Sequence, residues 1–210
     1  MSLLTIAIAP PSAGAANPLD DLIKPEKNNS ACFTRVYDAA HLRAHPKQKT
    51  ASMTVWLKYE PTGGAAPDLV LSVALSIVQR GAPAALFSQG DCNFDARANR
   101  DTSNNRLIKS YPKESGNVCM QSARPDVFEA ISAEEGGDLI LDRGKDRDTL
   151  MVYLDDRLTM VKRANRGDQL DIRFGADDRV FMLRRANPKE CAAVEEAVTT
   201  LEPGVAPRQR

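Results

Sequence analysis

Between Thr50 and Leu183 the apolar residues of this chain recur at every second position in short runs broken by turn signals. A period of two is what a half-buried β-strand requires, because successive side chains point to opposite faces. Met53, Val55, Leu57 and Tyr59 form one such row, alternating with Thr54, Trp56 and Lys58. Trp56 is therefore expected to point away from the core row. Leu69, Leu71, Val73, Leu75 and Ile77 repeat the pattern, with the mostly small Val70, Ser72, Ala74, Ser76 and Val78 between them. The two runs read as a long hairpin, and Gly81, Ala82 and Pro83 turn the chain into a third strand at residues 84–88.

Residues 89–116 read as an irregular polar segment, after which short runs resume at residues 118–122, around Phe128 and Ile131, and at Leu139 and Leu141. They continue at Leu150, Val152 and Leu154, at Leu158 and Val161, at Leu170, Ile172 and Phe174, and at Val180, Phe181 and Leu183. Gly136 and Gly137, Gly144, Asp155 and Asp156, Gly167 and Gly175 stand between them as turn residues. Strands this short and this regularly spaced, with no helix-period crossover among them, predict an all-β antiparallel meander rather than a parallel α/β sheet. About nine or ten strands can close as a barrel or pack as a sandwich, and the meander order favours the barrel.

Two short helices frame the strands. Asp38 precedes a turn through His41 and His45 that Pro46 stops, and Asn187 with Pro188 opens a C-terminal helix whose stripe is Cys191, Val194 and Val198. Ahead of the strands, an apolar stretch from Leu3 to Ala9 closes on the small-residue pattern Ala13, Gly14, Ala15, the back half of a secretory signal. The expected organisation is a signal-peptide remnant at 1–16, a linker at 17–31, one β-rich domain at 32–200 and a flexible tail at 201–210. Lys and Arg number 28 against 28 Asp and Glu, so the formal net charge is +0 and a phosphate-neutralising basic surface for nucleic acid is excluded. No apolar stretch is long enough to span a membrane.

Four cysteines fit an oxidising compartment, and none is part of a CxxC pair, which argues against a zinc ribbon or a thioredoxin-type site. Of the three possible pairings, Cys32 with Cys191 and Cys92 with Cys119 is favoured. The first would strap the start of the domain to its end, and the second would close the polar segment.

Residues 32–46, running Cys-Phe-Thr-Arg-Val-Tyr-Asp-Ala-Ala-His-Leu-Arg-Ala-His-Pro, resemble part of a group of small secreted proteobacterial β-rich proteins without an assigned activity. Residues 177–183, Asp-Asp-Arg-Val-Phe-Met-Leu, add to that resemblance. It covers the stretch from about Cys32 to Cys191, implies a β-rich envelope protein and carries over no catalytic residue.

Organised chemistry is sparse. His41 and His45 are the two histidines and stand four apart, so on a helix both imidazoles share a face, as a metal pair would need. Neither a third ligand nor the glutamate of a zinc-peptidase motif accompanies them, so exposed or capping histidines are the plainer reading. Asp91, Asn93 and Asp95 alternate like the start of a calcium loop, but Ala96 and Thr102 stand where that loop needs glycine and glutamate. Asp142, Asp146 and Asp148 are a second set of oxygen ligands. No GxSxG elbow and no glycine-rich phosphate loop is present, so no catalytic residue and no cofactor is assigned, and a hydrolase ranks third among the readings.

The expected function is a secreted or periplasmic non-enzymatic binding or envelope-accessory protein. Its small apolar ligand would sit inside the barrel against Tyr59, Phe174 and Phe181. The alternative is an inhibitor-like interaction module acting through the 92–119 loop with Arg97, Arg100 and Arg106. The expected partner is accordingly a small molecule or an envelope protein.

Overall fold

The computed structural model describes residues 17–61, 68–95, 107, 110–113, 116–122, 136–162 and 165–199. Ten strands follow one another as β1 (Ser30–Val36), β2 (Thr50–Pro61), β3 (Leu69–Gln79), β4 (Ala85–Asp95), β5 (Gly116–Ser122), β6 (Asp138–Arg143), β7 (Thr149–Leu154), β8 (Arg157–Lys162), β9 (Asn165–Arg173) and β10 (Val180–Arg185). Helix α1 (Ala39–Ala44) lies between β1 and β2, and α2 (Ala192–Thr199) follows β10. The hydrogen-bonded order is β3-β2-β1-β10-β7-β6-β5-β4-β8-β9, and β3 also pairs with β4. That last pairing closes β1 to β7 and β10 into an eight-stranded antiparallel barrel, which resolves the choice between barrel and sandwich. Hairpin β8–β9 is not a member of the ring: it pairs with β4 through Leu86 opposite Lys162 and Phe87 opposite Val161, and it adds Leu158, Met160 and Ile172 to the main buried cluster.

Period-two rows fill the interior. Met53, Val55 and Leu57 of β2 and Val73, Leu75 and Ile77 of β3 join Phe33, Leu139, Leu141, Leu150, Val152, Phe181 and Leu183 in one buried cluster. A register slip of one residue would turn a whole row outward, so this burial fixes the pairing. Trp56 lies opposite Cys32 on β1 and Ala74 on β3, in the outward row, as expected.

Two covers shield the outer wall. After the 3-10 turn Pro188–Cys191, where Asn187 caps the turn and Glu190 completes a capping box, α2 lays Val194 and Ala197 over Trp56, Ala74 and Phe87. The Cys32–Cys191 disulfide fastens this cover to β1, and Cys92–Cys119 joins directly opposed residues of β4 and β5. Both pairings are those favoured from the sequence. The second cover is the segment containing Leu107 and Tyr111, which packs on Ile140 and Val118. Among the described residues, no helix is long and apolar enough to cross a membrane.

The stretch expected to be a linker is different. Asn17 caps a 3-10 turn at Pro18–Asp21, and Leu19, Leu22 and Ile23 are buried in the main cluster, where this segment plugs one end of the barrel. Asn17 and Asn117 exchange amide hydrogen bonds, Asp21 pairs with Arg143, and Arg185 donates to the carbonyl of Leu22. The polar average of residues 17–31 concealed three apolar residues placed on one side of a single turn. β4 also runs to Asp95, well past the expected residue 88, because its outward row of Gln89, Asp91 and Asn93 is polar and Gly90 leaves a gap in its inward row. Phe128 and Ile131, read as part of a strand, lie outside the described residues, as do residues 1–16 and 201–210.

Candidate functional site

A site on this barrel is built around a carboxylate on its outer wall. On β6 the inward row is Leu139 and Leu141, and the outward row places Ile140 and Asp142 beneath the Leu107–Tyr111 cover. Asp142 is fully buried. An ionised carboxylate out of water is costly unless it is paired and hydrogen-bonded. The Tyr111 hydroxyl donates to its Oδ2 at 2.8 Å, the Arg143 amide donates to Oδ1 at 2.8 Å, and the Lys113 ammonium pairs with it from the solvent side. Burial, reinforced by its bond to Asp142, pushes the Tyr111 phenol far above its ordinary range, so this hydroxyl stays protonated and donating.

Tyr111 in turn orients Tyr153 of β7. Their rings meet edge to face with centroids 5.0 Å apart and planes at 82°. Close approach here depends on Gly116, where a Cβ would stand 2.8 Å from Ile140 Cγ2 and 3.0 Å from the Tyr111 ring. Burial also raises the Tyr153 phenol, with Asp142 adding to the effect and Lys113 opposing it.

Between this cover, the end of β7 and the start of β10 lies a cavity of about 430 Å³, the lower part of the usual range for small-molecule pockets. Leu107, Tyr111, Pro112, Tyr153 and Val180 give it apolar walls, while Ser110, Asp155, Asp156 and Arg179 supply polar groups. The register sets Val180 directly beside Tyr153, and the Arg179 carbonyl accepts from the Leu154 amide at 2.9 Å. Arg179 follows the 3-10 turn Ala176–Asp178, which the fully buried Asp178 pins to β2 by accepting from the amides of Lys49 at 2.7 Å and Thr50 at 3.0 Å. Asp155 Oδ1 accepts from the Asp156 amide at 2.7 Å. Among the described residues, the Arg179 guanidinium has no ion pair and the Tyr153 hydroxyl has no hydrogen-bond partner. Val180 is 49% exposed and Met182 44% exposed, so apolar surface continues from the cavity along β10.

The residues expected to line an interior pocket lie inside the barrel, away from this wall cavity. Tyr59, Phe174 and Phe181 are buried among the aliphatic side chains of the barrel interior. Tyr59 is at the plugged end, its hydroxyl 3.4 Å from Asp20 Oδ1. Arg97, Arg100 and Arg106 lie outside the described residues. His41 and His45 do share a face of α1, but their rings stack on one another with centroids 4.3 Å apart, and Tyr37 stacks on His41. His41 Nε2 is 3.0 Å from Gln48 Oε1, and Asp38 is engaged as the N-cap, accepting from the His41 amide. Among the described residues no group of three His, Cys, Asp or Glu side chains is placed to hold a metal ion. Of the calcium candidates, Asp91 and Asn93 lie on a strand, with Asp91 accepting from Ser72 at 2.8 Å, and Asp146 is occupied by Thr149 and Arg184.

Tyr153 and Arg179 were missed in sequence because each looked ordinary, an aromatic between strand residues and an arginine in a turn, and Asp142 was read only as one of three oxygen ligands rather than as a buried carboxylate. The signal that was available is a tyrosine on the outward row of a strand followed by Asp155 and Asp156, where a polar residue is the norm for a solvated face. No protein-family model, curated protein or solved structure matches the chain.

Proposed function

We propose that this is an exported, non-enzymatic binding protein whose ligand occupies the cavity on the barrel wall rather than the barrel interior. One observation carries the reading: a cavity of about 430 Å³ with aromatic and aliphatic walls meets the Arg179 guanidinium, which has no ion pair among the described residues, and the Tyr153 phenol, which has no hydrogen-bond partner among them, groups that a ligand would satisfy. An interior ligand is the weaker version, because Tyr59, Phe174 and Phe181 already pack against aliphatic neighbours. Two disulfides fit an oxidising compartment, and the Ala13–Ala15 pattern together with the resemblance to secreted proteobacterial proteins supports the periplasm or the exterior. Asp142 and Tyr111, the buried hydrogen-bonded pair at the site, are committed to each other and to Lys113, an arrangement suited to bracing a wall rather than to proton transfer.

Native mass spectrometry of the exported protein tests this reading. The expected result is a bound mass that disappears on denaturation and is absent from Arg179→Ala. A bound mass that survives in Arg179→Ala and Tyr153→Ala, or a bare wild-type chain, would contradict it. A second reading, capture of an envelope protein through the segment between Cys92 and Cys119, is favoured by their position. These residues oppose each other on β4 and β5, so both ends of that segment leave the barrel together.

A further inference from the structure

Resting on the wall cavity as a ligand site, we infer that the ligand is a neutral sugar ring, a pyranose carried either as a free sugar or as the end of a glycan chain. The argument is one of matching groups. Asp155 and Asp156 bring two carboxylates to the cavity and Arg179 brings one guanidinium, yet these charges do not pair with each other among the described residues. An anionic ligand drawn to Arg179 would face both carboxylates, and a cationic one drawn to them would face Arg179. Like charges in a partly desolvated site cost more than they do in water.

A polyol avoids that conflict, because each hydroxyl both donates and accepts. Its hydroxyls donate to Asp155 Oδ2 and to the Asp156 carboxylate, which have no partner among the described residues, and accept from Arg179 and from the Tyr153 hydroxyl. The planar guanidinium offers its donors as a fork, suited to two neighbouring oxygens of one ring. Tyr153, held edge to face by Tyr111, supplies an aromatic surface for the C–H face of the sugar, and Val180 extends it. A fatty acid or a simple aromatic seated in the cavity would take water from Arg179 or the two carboxylates without replacing its hydrogen bonds, a cost that a polyol avoids. An amino acid offers a single ammonium to two carboxylates and is the nearest competitor.

Saturation-transfer NMR on the intact, disulfide-bonded protein tests the inference, with each probe at about 10 mM to populate a millimolar complex. The sugar probes are the methyl glycosides of glucose, galactose and N-acetylglucosamine with the disaccharides cellobiose, lactose and chitobiose, and the competitors are hexanoate, hexylamine and leucine. The expected result is transfer to the ring C–H protons of at least one sugar, lost in Tyr153→Ala and reduced about tenfold or more in Arg179→Ala, with both variants melting close to the wild type. Equal binding of a methyl glycoside and its disaccharide identifies a free sugar, and tighter binding of the disaccharide identifies a chain end. Either result supports the inference. If a competitor binds in a Tyr153-dependent way and no sugar does, the sugar assignment is overturned and the cavity remains a ligand site. If nothing binds, both are overturned. A conservative Tyr153→Phe variant, which keeps the ring and removes the donor, must weaken rather than abolish sugar transfer.

Discussion

Asn17 and Asn117, a hundred positions apart, hold each other by two amide hydrogen bonds of 3.0 and 2.8 Å, one in each direction. The first belongs to the segment that plugs the barrel and the second to the inner face of β5, where it is almost wholly buried. Asn17→Ala removes one partner and leaves the Asn117 amide unsatisfied in the interior, which costs about 2 kcal/mol. Urea unfolding is expected to show a lower midpoint with an unchanged slope. A midpoint equal to the wild type would mean that the plug does not contribute to the fold.

The chain has one tryptophan, Trp56, beneath α2 and beside the Cys32–Cys191 disulfide. It therefore reports on that cover alone. Cys191→Ser should release α2 and shift the Trp56 emission to the red, whereas Cys119→Ser, whose bond lies on the other side of the wall, should leave the emission of the folded state unchanged. On chain-entropy grounds the loops of 159 and 27 residues give the first bond more stabilisation than the second, about 5 against about 3.5 kcal/mol.

Gly116→Ala should loosen the wall site from below. The added methyl meets Ile140 Cγ2 at 2.8 Å and the Tyr111 ring at 3.0 Å, so either β5 or the Tyr111 cover must shift. Overpacking of this kind costs about 1–3 kcal/mol. Circular dichroism melts would read the loss, and the Tyr111–Tyr153 contact would be seen to open in the aromatic NMR resonances.

All four tyrosines resist ionisation. Burial comes first among the causes at Tyr37, Tyr59, Tyr111 and Tyr153, and Tyr59, with Asp20 beside it, is pushed up to about 12. A folded-state pKa raised above the unfolded value gives stability that is complete below pH 10 and is lost as pH climbs through the folded value. Spectrophotometric titration should therefore show little phenolate in the folded protein at about pH 10, the ordinary tyrosine value, and its appearance together with alkaline unfolding. Normal titration of four phenols with the fold intact would contradict the packing described above.

Asp91 runs the other way from a typical surface acid. Burial raises its carboxyl, with Glu60 adding to the effect and the Ser72 hydroxyl opposing it. Its raised folded value means that this site favours the folded state most at acid pH and loses that contribution as pH rises through it. Asp91→Asn keeps an acceptor for Ser72 and removes the charge, so it should stabilise the protein at neutral pH. A lower melting temperature for this variant would show that the charge is needed.

The barrel was legible because its signal is periodic: Met53, Val55, Leu57 and Tyr59 alternate with outward residues, and Trp56 faces out in both the sequence and the structure. The two disulfides and the Asn187 cap were also readable from local patterns. Leu19, Leu22 and Ile23 were not, because one turn of a helix provides too short a window for a period to emerge above its polar neighbours. The wall site was invisible for a different reason. Tyr153 and Arg179 become neighbours only through the pairing of β7 with β10, a long-range register, and Asp142 is buried only because a distant segment covers it.

A crystallographic soak of the protein with small polyol and aromatic fragments tests most directly where its ligand site lies. The account predicts fragment density against Tyr153 and Arg179, in the cavity on the barrel wall, and none among Phe33, Tyr59, Phe174 and Phe181. Fragments lodged among those four interior rings, with the wall cavity empty, would contradict it.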